Sequence, residues 1–264
     1  ETKVDWVAFL FTCYDTNALD DDEIDAMREE MSETAFKREM LCDFSAAGDD
    51  QLISIADAET ACQRLYRPGE MDYAARVIGV DPARFGDDKS VIIRRQGLVS
   101  FEPEVFHGMD NMHLAGRVAQ HIVDWHPDAV FIDAGNGSGV IDRLRQLGHD
   151  IIEVNFGGKA TKQEYFNKRT EIWFEMRDWI AQGGAIPNNT SLKQDLAAPT
   201  YGFNAANQKV LERKDDIKKR IKRSPDIADA LAVTFAAPVE RRPEVIVSAP
   251  RPRGESKREY DPYA

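Results

Sequence analysis

Two segments constrain the fold more than anything else in the chain: residues 77–80 in "RVIGVD" and residues 129–132 in "DAVFID". Both are apolar runs without polar alternation, so each predicts a central strand covered on both faces rather than one with a wet side. A sheet built on such strands carries helices on both faces, which points to an α/β protein. Each run then ends in a carboxylate, Asp81 and Asp133. An isolated ionised carboxylate at the edge of a core is strongly disfavoured unless it is hydrogen-bonded, paired or bound to a cation.

The surrounding pattern supplies the rest of the sheet. Residues 75–80, 90–95 and 98–106, with a turn at Gln96 and Gly97, predict an antiparallel meander. Next come a helix over 111–125, the buried strand 129–132, a helix over 139–147 and a strand over 151–154. A long helix over 164–182 places Ile172, Trp173, Met176 and Ile180 at core spacing. Residues 201–203 and 209–211 flank "NAANQ" as a hairpin, and 224–236 forms the last helix. The expected fold is therefore a mixed sheet, an antiparallel meander plus parallel strands, with helices on both faces. Residues 65–238 form this domain. Residues 1–64 read as a connector: an apolar strand over 6–13, an acidic helix capped by Asp20 with Glu23 three residues on, and a helix from near Ser32. Residues 239–264 are Pro-rich and charge-mixed, the composition of a flexible tail.

A third carboxylate comes from "SPDIADALAVTFAA". Ser224 suits the N-cap and Pro225 the first helical position. The rest of this helix is apolar nearly all round, yet it contains Asp226 and, three residues later on the same side, Asp229. Asp226 complements the helix dipole in the first turn, whereas Asp229 has no such explanation and no basic residue one turn away. Asp81, Asp133 and Asp229 relieve one another by holding divalent cations, and an all-oxygen donor set suits Mg²⁺ or Mn²⁺. A pair of such ions about 4 Å apart hydrolyses phosphodiesters. Asp87 and Asp88 precede the second strand as turn residues, with Asp88 an auxiliary ligand candidate. The glycines at 135, 137 and 139 allow close approach of a phosphate, or else a tight strand-to-helix turn.

Charge does not exclude a nucleic-acid partner. The formal net charge is −12, but residues 15–59 hold fifteen acidic and three basic residues and account for that whole excess. Residues 209–223, "KVLERKDDIKKRIKR", carry eight basic and three acidic side chains. Lys214, Lys218, Lys219, Arg220, Lys222 and Arg223 are the candidates for phosphate-backbone contacts, the alternative being a solvated helix or hairpin surface. Cys13, Cys42 and Cys62 form no CxxC pair, so neither a disulfide framework nor a zinc site is indicated, and buried apolar positions are expected for them. The apolar run 6–11 is too short to span a bilayer and lacks signal-peptide flanks, so a cytosolic chain without membrane contact is expected.

Four segments in this order, "VIGVDPARFGDDKS", "VFIDAGNGSGVIDRL", "NKRTEIWFEMRDWI" and "RIKRSPDIADALAVTF", resemble the nuclease domain of the large terminase subunit of tailed bacteriophages, an RNase H-like metal nuclease. "MSETAFKREMLCDF" resembles the segment joining the terminase ATPase to its nuclease. No GxxxxGK[ST] loop occurs, and the chain begins at Glu1, so the resemblance implies a fragment from which the ATPase domain is missing.

By this resemblance Asp81, Asp133 and Asp229 take the three acidic metal-binding positions, and Asp226 a further one present in some relatives. It implies an endonuclease that cuts concatemeric double-stranded viral DNA in the host bacterial cytoplasm, with the portal protein and the small terminase subunit as partners. Arg169 either positions its helix or contacts DNA, with a structural salt bridge as the alternative. Other RNase H-like enzymes, such as a transposase or junction resolvase, and a non-enzymatic packaging scaffold remain alternatives. An actin-like ATPase or sugar kinase would need more residues and leaves Asp229 unexplained.

Overall fold

In the computed structural model, which describes residues 9–16, 18–31, 33–42, 50–83 and 89–242, the two apolar runs lie side by side at the centre. They pair parallel as β1 (Arg76–Asp81) and β5 (Ala129–Asp133), Val77 opposite Ala129 and Val80 opposite Ile132. β2 (Lys89–Gln96) lies antiparallel on the other side of β1, and β6 (Ile152–Val154) runs parallel outside β5. β3 (Val99–Ser100) and β4 (Glu104–His107) both pair with β2, completing a six-stranded mixed sheet. The single strand expected over 98–106 is thus two, with Pro103 between them; proline has no N–H to give to a ladder.

Side chains alternate between two covered faces. Ile78, Val80, Val130 and Ile132 pack with Leu114 and Val118 of α5 (Asn111–Trp125) and with Val140, Ile141 and Leu144 of α6 (Ala134–Gln146). The other parity, Val77, Gly79 and Asp81 on β1 with Phe131 and Asp133 on β5, faces α10 (Asp226–Val233), where Val233 closes on Val77 and Phe131. Gly79 is what lets this helix settle: a Cβ there would lie 2.2 Å from Ala230 O and 2.6 Å from Thr234 Cγ2. Beyond α10, Ile172, Trp173, Phe174 and Met176 of α7 (Lys168–Ala181) and Leu192 and Leu196 of α8 (Thr190–Leu196) form the second core layer.

Several boundaries depart from the sequence pattern for local reasons. α7 starts at Lys168 rather than 164 because the Asn167 side chain accepts from Thr170 N and caps it there. α6 begins five residues earlier than expected, so the glycine-rich stretch is its first turn, not a loop. α10 is not capped by Ser224. Pro225 stands at the N-cap without a side-chain bond, and the Ile227 N–H is taken instead by Asp195 Oδ2 at 3.1 Å, from α8. The hairpin forms as β7 (Tyr201–Phe203) and β8 (Lys209–Leu211), but the basic stretch after it is a helix of its own, α9 (Lys214–Ile221).

Before the sheet come α1 (Cys13–Thr16), α2 (Asp21–Glu30) and α3 (Glu33–Met40), α2 with the Asp20–Glu23 capping box. Residues 9–13, the described part of the strand expected over 6–13, are not strand: Cys13 begins α1, and Phe9, Leu10 and Phe11 are exposed. α4 (Ile55–Gln63), which the sequence pattern places in the connector, puts Ala58 and Ala61 into the same core as α7 and α10, where Leu52 and Ile53 just before it also pack. The three cysteines are free and only half-buried. No helix of the described residues is long and apolar enough to cross a membrane.

Candidate metal centre

Strand parity brings the carboxylates to one place. Asp81 and Asp133 come directly after the paired residues Val80 and Ile132 on adjacent parallel strands, so both stand at strand carboxyl ends on the α10 face. Asp133 also caps α6, its Oδ1 accepting from Gly135 N at 3.2 Å. From above, α10 lowers Asp226 and Asp229 toward them, and all four are buried, Asp229 completely at 0% exposure. Asp87 and Asp88 lie outside the described residues.

What joins them is Lys214, the first residue of α9. Its ammonium lies 3.1 Å from Asp81 Oδ2, 3.0 Å from Asp226 Oδ1 and 3.2 Å from Asp229 Oδ2. The sequence pattern assigns Lys214 to a phosphate-backbone patch; the fold instead turns it into the acidic centre. Asp229 has two more partners: Trp173 Nε1 donates to Oδ1 at 2.8 Å and Arg169 Nε at 3.2 Å. The positive partner that α10 itself does not offer Asp229 thus arrives from α7 and α9. Asp226 Oδ2 accepts from Lys89 N at 3.1 Å.

Four carboxylates therefore share two cations, Lys214 and Arg169, which leaves an excess of two negative charges if all are ionised. The pKa shifts register that deficit. Burial pushes the Asp81 carboxyl well above the usual carboxylate range; Lys214 pulls it back, while Asp229, Asp226 and Asp133 push further. Asp133 is also raised, chiefly by burial, with the Gly135 N–H and Lys214 opposing. Burial is again the largest influence on Asp229, but Arg169, Lys214 and the Trp173 hydrogen bond together outweigh it and hold the group below its ordinary value. Lys214 is raised well above the ordinary lysine value, the three aspartates overcoming its desolvation.

The residues suit a divalent cation. Every donor is a carboxylate oxygen, a cation already occupies the space between three of them, and Asp229 Oδ2 is buried without a hydrogen bond, its contact being the Lys214 charge. No three such side chains among the described residues form a ready-made metal cage, so ion binding requires the ammonium to give way. The glycines have structural work here: a Cβ at Gly137 would meet Pro82 and Ile132 at 3.0 Å, and one at Gly139 would meet Asn111 Nδ2 at 2.7 Å.

The other candidate phosphate contacts lie on or beside α9. Lys218, Lys219 and Lys222 are exposed, with Lys219 near Asp216 at 3.1 Å. Arg220 and Arg223 tie this region down, Arg220 to Glu212 and Ala198 O, Arg223 to the buried Asp195. Arg169 makes the salt bridge, 3.2 Å from Asp229 Oδ1, and its Nη1 donates to Glu212 O at 2.8 Å. Nothing local in the sequence marked Trp173 or Asp195 as supports of the site, since both read as ordinary helix positions. A cavity of about 730 Å³ beside Arg95, Glu175 and Phe235 contains none of the four aspartates.

No protein-family model and no curated protein matches the chain. Among solved structures it is similar to the nuclease domain of the large terminase subunit gp2 of bacterial virus Sf6, in a variant with manganese and beta-thujaplicinol. The TM-score is 0.63 at 18% identity, over 71% of this chain and 99% of that one. The same viral domain in a second structure gives a TM-score of 0.60 at 19% identity, and a calcium-containing variant gives 0.59 at 16%, each with that same coverage. The chain thus has the RNase H-like fold of the terminase nuclease domains.

Proposed function

We propose that this chain is a divalent-metal-dependent endonuclease that cuts concatemeric double-stranded viral DNA during genome packaging. The observation that carries the reading is the convergence of Asp81, Asp226 and Asp229, with Asp133 on the adjacent strand, around a single cationic position in a terminase-nuclease fold. Asp81, Asp133, Asp226 and Asp229 would hold Mg²⁺ or Mn²⁺, two ions in the fullest form. Such ions, when bound, supply Lewis-acid activation of water and of the phosphodiester.

The chain's own residues prepare that chemistry. Arg169 and Trp173 fix Asp229 in one rotamer and keep it ionised at neutral pH. Burial and the neighbouring carboxylates raise Asp81 and Asp133, so positive charge in the centre would favour their ionised forms. Lys214 holds Asp81, Asp226 and Asp229 together, and an ammonium released from them would be free to meet a phosphate oxygen. Lys218, Lys219 and Lys222 on the outer surface would track the DNA backbone without reading sequence. Action in the host bacterial cytoplasm, beside a portal and a small terminase subunit, belongs to the same proposal.

The test is supercoiled-plasmid cleavage with Mg²⁺, with Mn²⁺ and with EDTA, comparing wild type with Asp81→Asn, Asp133→Asn and Asp229→Asn. Folding is checked by circular dichroism. Nicking and linearisation are expected from the wild type with either metal, none in EDTA, and none from the folded variants. Undiminished cutting by the variants, or a wild type that never cuts, overturns the reading.

A further inference from the structure

A second concavity adjoins the carboxylate centre. It encloses about 600 Å³, a volume typical of small-ligand clefts, and shares Arg169 and Lys214 with the centre while none of the four aspartates lines it. Its remaining wall includes Phe156, Phe166, Val210 and Arg213, and no acidic side chain lines it at all. Of the three cations bordering it, Lys214 and Arg169 are shared with the aspartates, and Arg213 is the one with no ion pair among the described residues.

Three independent features describe the ligand this cleft suits. Arg169 is only 8% exposed, with Nε committed to Asp229 and Nη1 to Glu212 O, yet its Nη2 has no hydrogen-bond partner. A buried guanidinium N–H left without an acceptor is costly, and a phosphate oxygen is the acceptor it matches best. α9 also begins at the cleft with Lys214, and its N-cap residue, Arg213, provides no side-chain cap, whereas the first N–H groups of α7 are all taken, by Gly158 O, Phe156 O and Asn167. Helix starts favour anions through their free N–H groups and dipole. Finally, Phe166 is 55% exposed beside these cations, and Arg213 is exposed and makes no ion pair with the described residues. An exposed ring next to a phosphate site suits a nucleobase, because every base presents a π face.

Resting on the nuclease reading, we infer that this cleft seats one nucleotide of the DNA strand flanking the cut, its phosphate on Arg169 and Arg213 and its base against Phe166. The duplex is then locally opened at the site, since a paired base cannot reach the ring. This separates two tasks. The carboxylates act on the scissile phosphate, while the cleft holds its neighbour and sets the register.

The experiment measures fluorescence anisotropy of labelled single-stranded and duplex oligonucleotides in EDTA, together with KM for plasmid cleavage with Mg²⁺. Wild type is compared with Phe166→Ala and Arg213→Ala, and with Phe203→Ala as an exposed aromatic outside the cleft. Phe166→Ala and Arg213→Ala are each expected to weaken single-strand binding about tenfold and to raise KM, with Phe203→Ala unchanged. Arg213→Ala should also reduce the salt slope of binding by about one, and Phe166→Ala should leave it unaltered. A wild type that cuts while both cleft variants match it in affinity and KM overturns the cleft alone. A wild type that neither binds oligonucleotide nor cuts plasmid removes the nuclease reading beneath it.

Discussion

Gly79→Ala would separate the sheet from the helix that completes the carboxylate centre. The added methyl would stand 2.2 Å from Ala230 O, 2.6 Å from Thr234 Cγ2 and 2.9 Å from Val233 Cγ1. Since comfortable carbon contacts begin near 3.5 Å and the first obstacle is backbone, α10 must retreat by about 1 Å. Overpacking of this kind costs about 3 kcal/mol, the upper end of the usual range, because no side chain can swing clear. In a domain of this size that lowers Tm by roughly 9 °C. Asp226 and Asp229 ride on α10, so the same shift widens their distance from Asp81 and loosens the hold of Lys214 on all three. A misplacement of about 1 Å can reduce turnover on the order of 100-fold. Urea denaturation and Mg²⁺-dependent plasmid cleavage measure the two effects. The internal control is Gly116→Ala in α5, where a Cβ meets nothing within 4 Å and alanine should stabilise the helix by about 0.5–1 kcal/mol. Wild-type stability in Gly79→Ala, or equal losses in both variants, would refute the contact as what positions α10.

Lys214→Ala should have opposite effects with and without metal. In EDTA the variant loses about 2 kcal/mol, less than a fully buried pair because the Lys214 side chain is 34% exposed, while its thermal upshift by Mn²⁺ exceeds that of wild type; equal upshifts would show that the ammonium does not compete with the ion. Burial pushes the Asp195 carboxyl up to about 7. With its folded pKa above the unfolded one, its contribution is full below about pH 4 and is lost as pH rises through 7, a change on the order of 4 kcal/mol. Asp195→Asn should therefore gain stability relative to wild type between pH 5 and pH 8 in urea denaturation, and a constant difference between the two would exclude a raised pKa.

The non-alternating runs at 77–80 and 129–132 were enough to place two parallel strands at the sheet centre, because burial on both faces admits no polar residue. Asp81, Asp133 and Asp229 stood out for the same reason, as carboxylates where a core should be. The capping box at Asp20 and the hairpin at 201–211 were equally local and equally legible. The cap of α10 was not: Ser224 satisfies the local rule, but Asp195 on α8 takes the Ile227 N–H. Nor did the basic stretch disclose its division of labour, in which Lys214 turns inward and Lys219 and Lys222 stay exposed.

Neighbouring residues alone disclose where polarity conflicts with burial, and in that sense the carboxylate centre was written into the chain before it folded. Which charges resolve the conflict depends on the folded chain. Lys214 lies 133 positions from Asp81 and Arg169 lies 60 from Asp229, distances along the chain at which no periodicity operates. Their meeting depends on α10 resting against Gly79 and on α7 and α9 both beginning beside the buried aspartates. Electrostatic interactions fall off with distance in space rather than in sequence, so the partners of a buried charge exist only once the fold has brought them together.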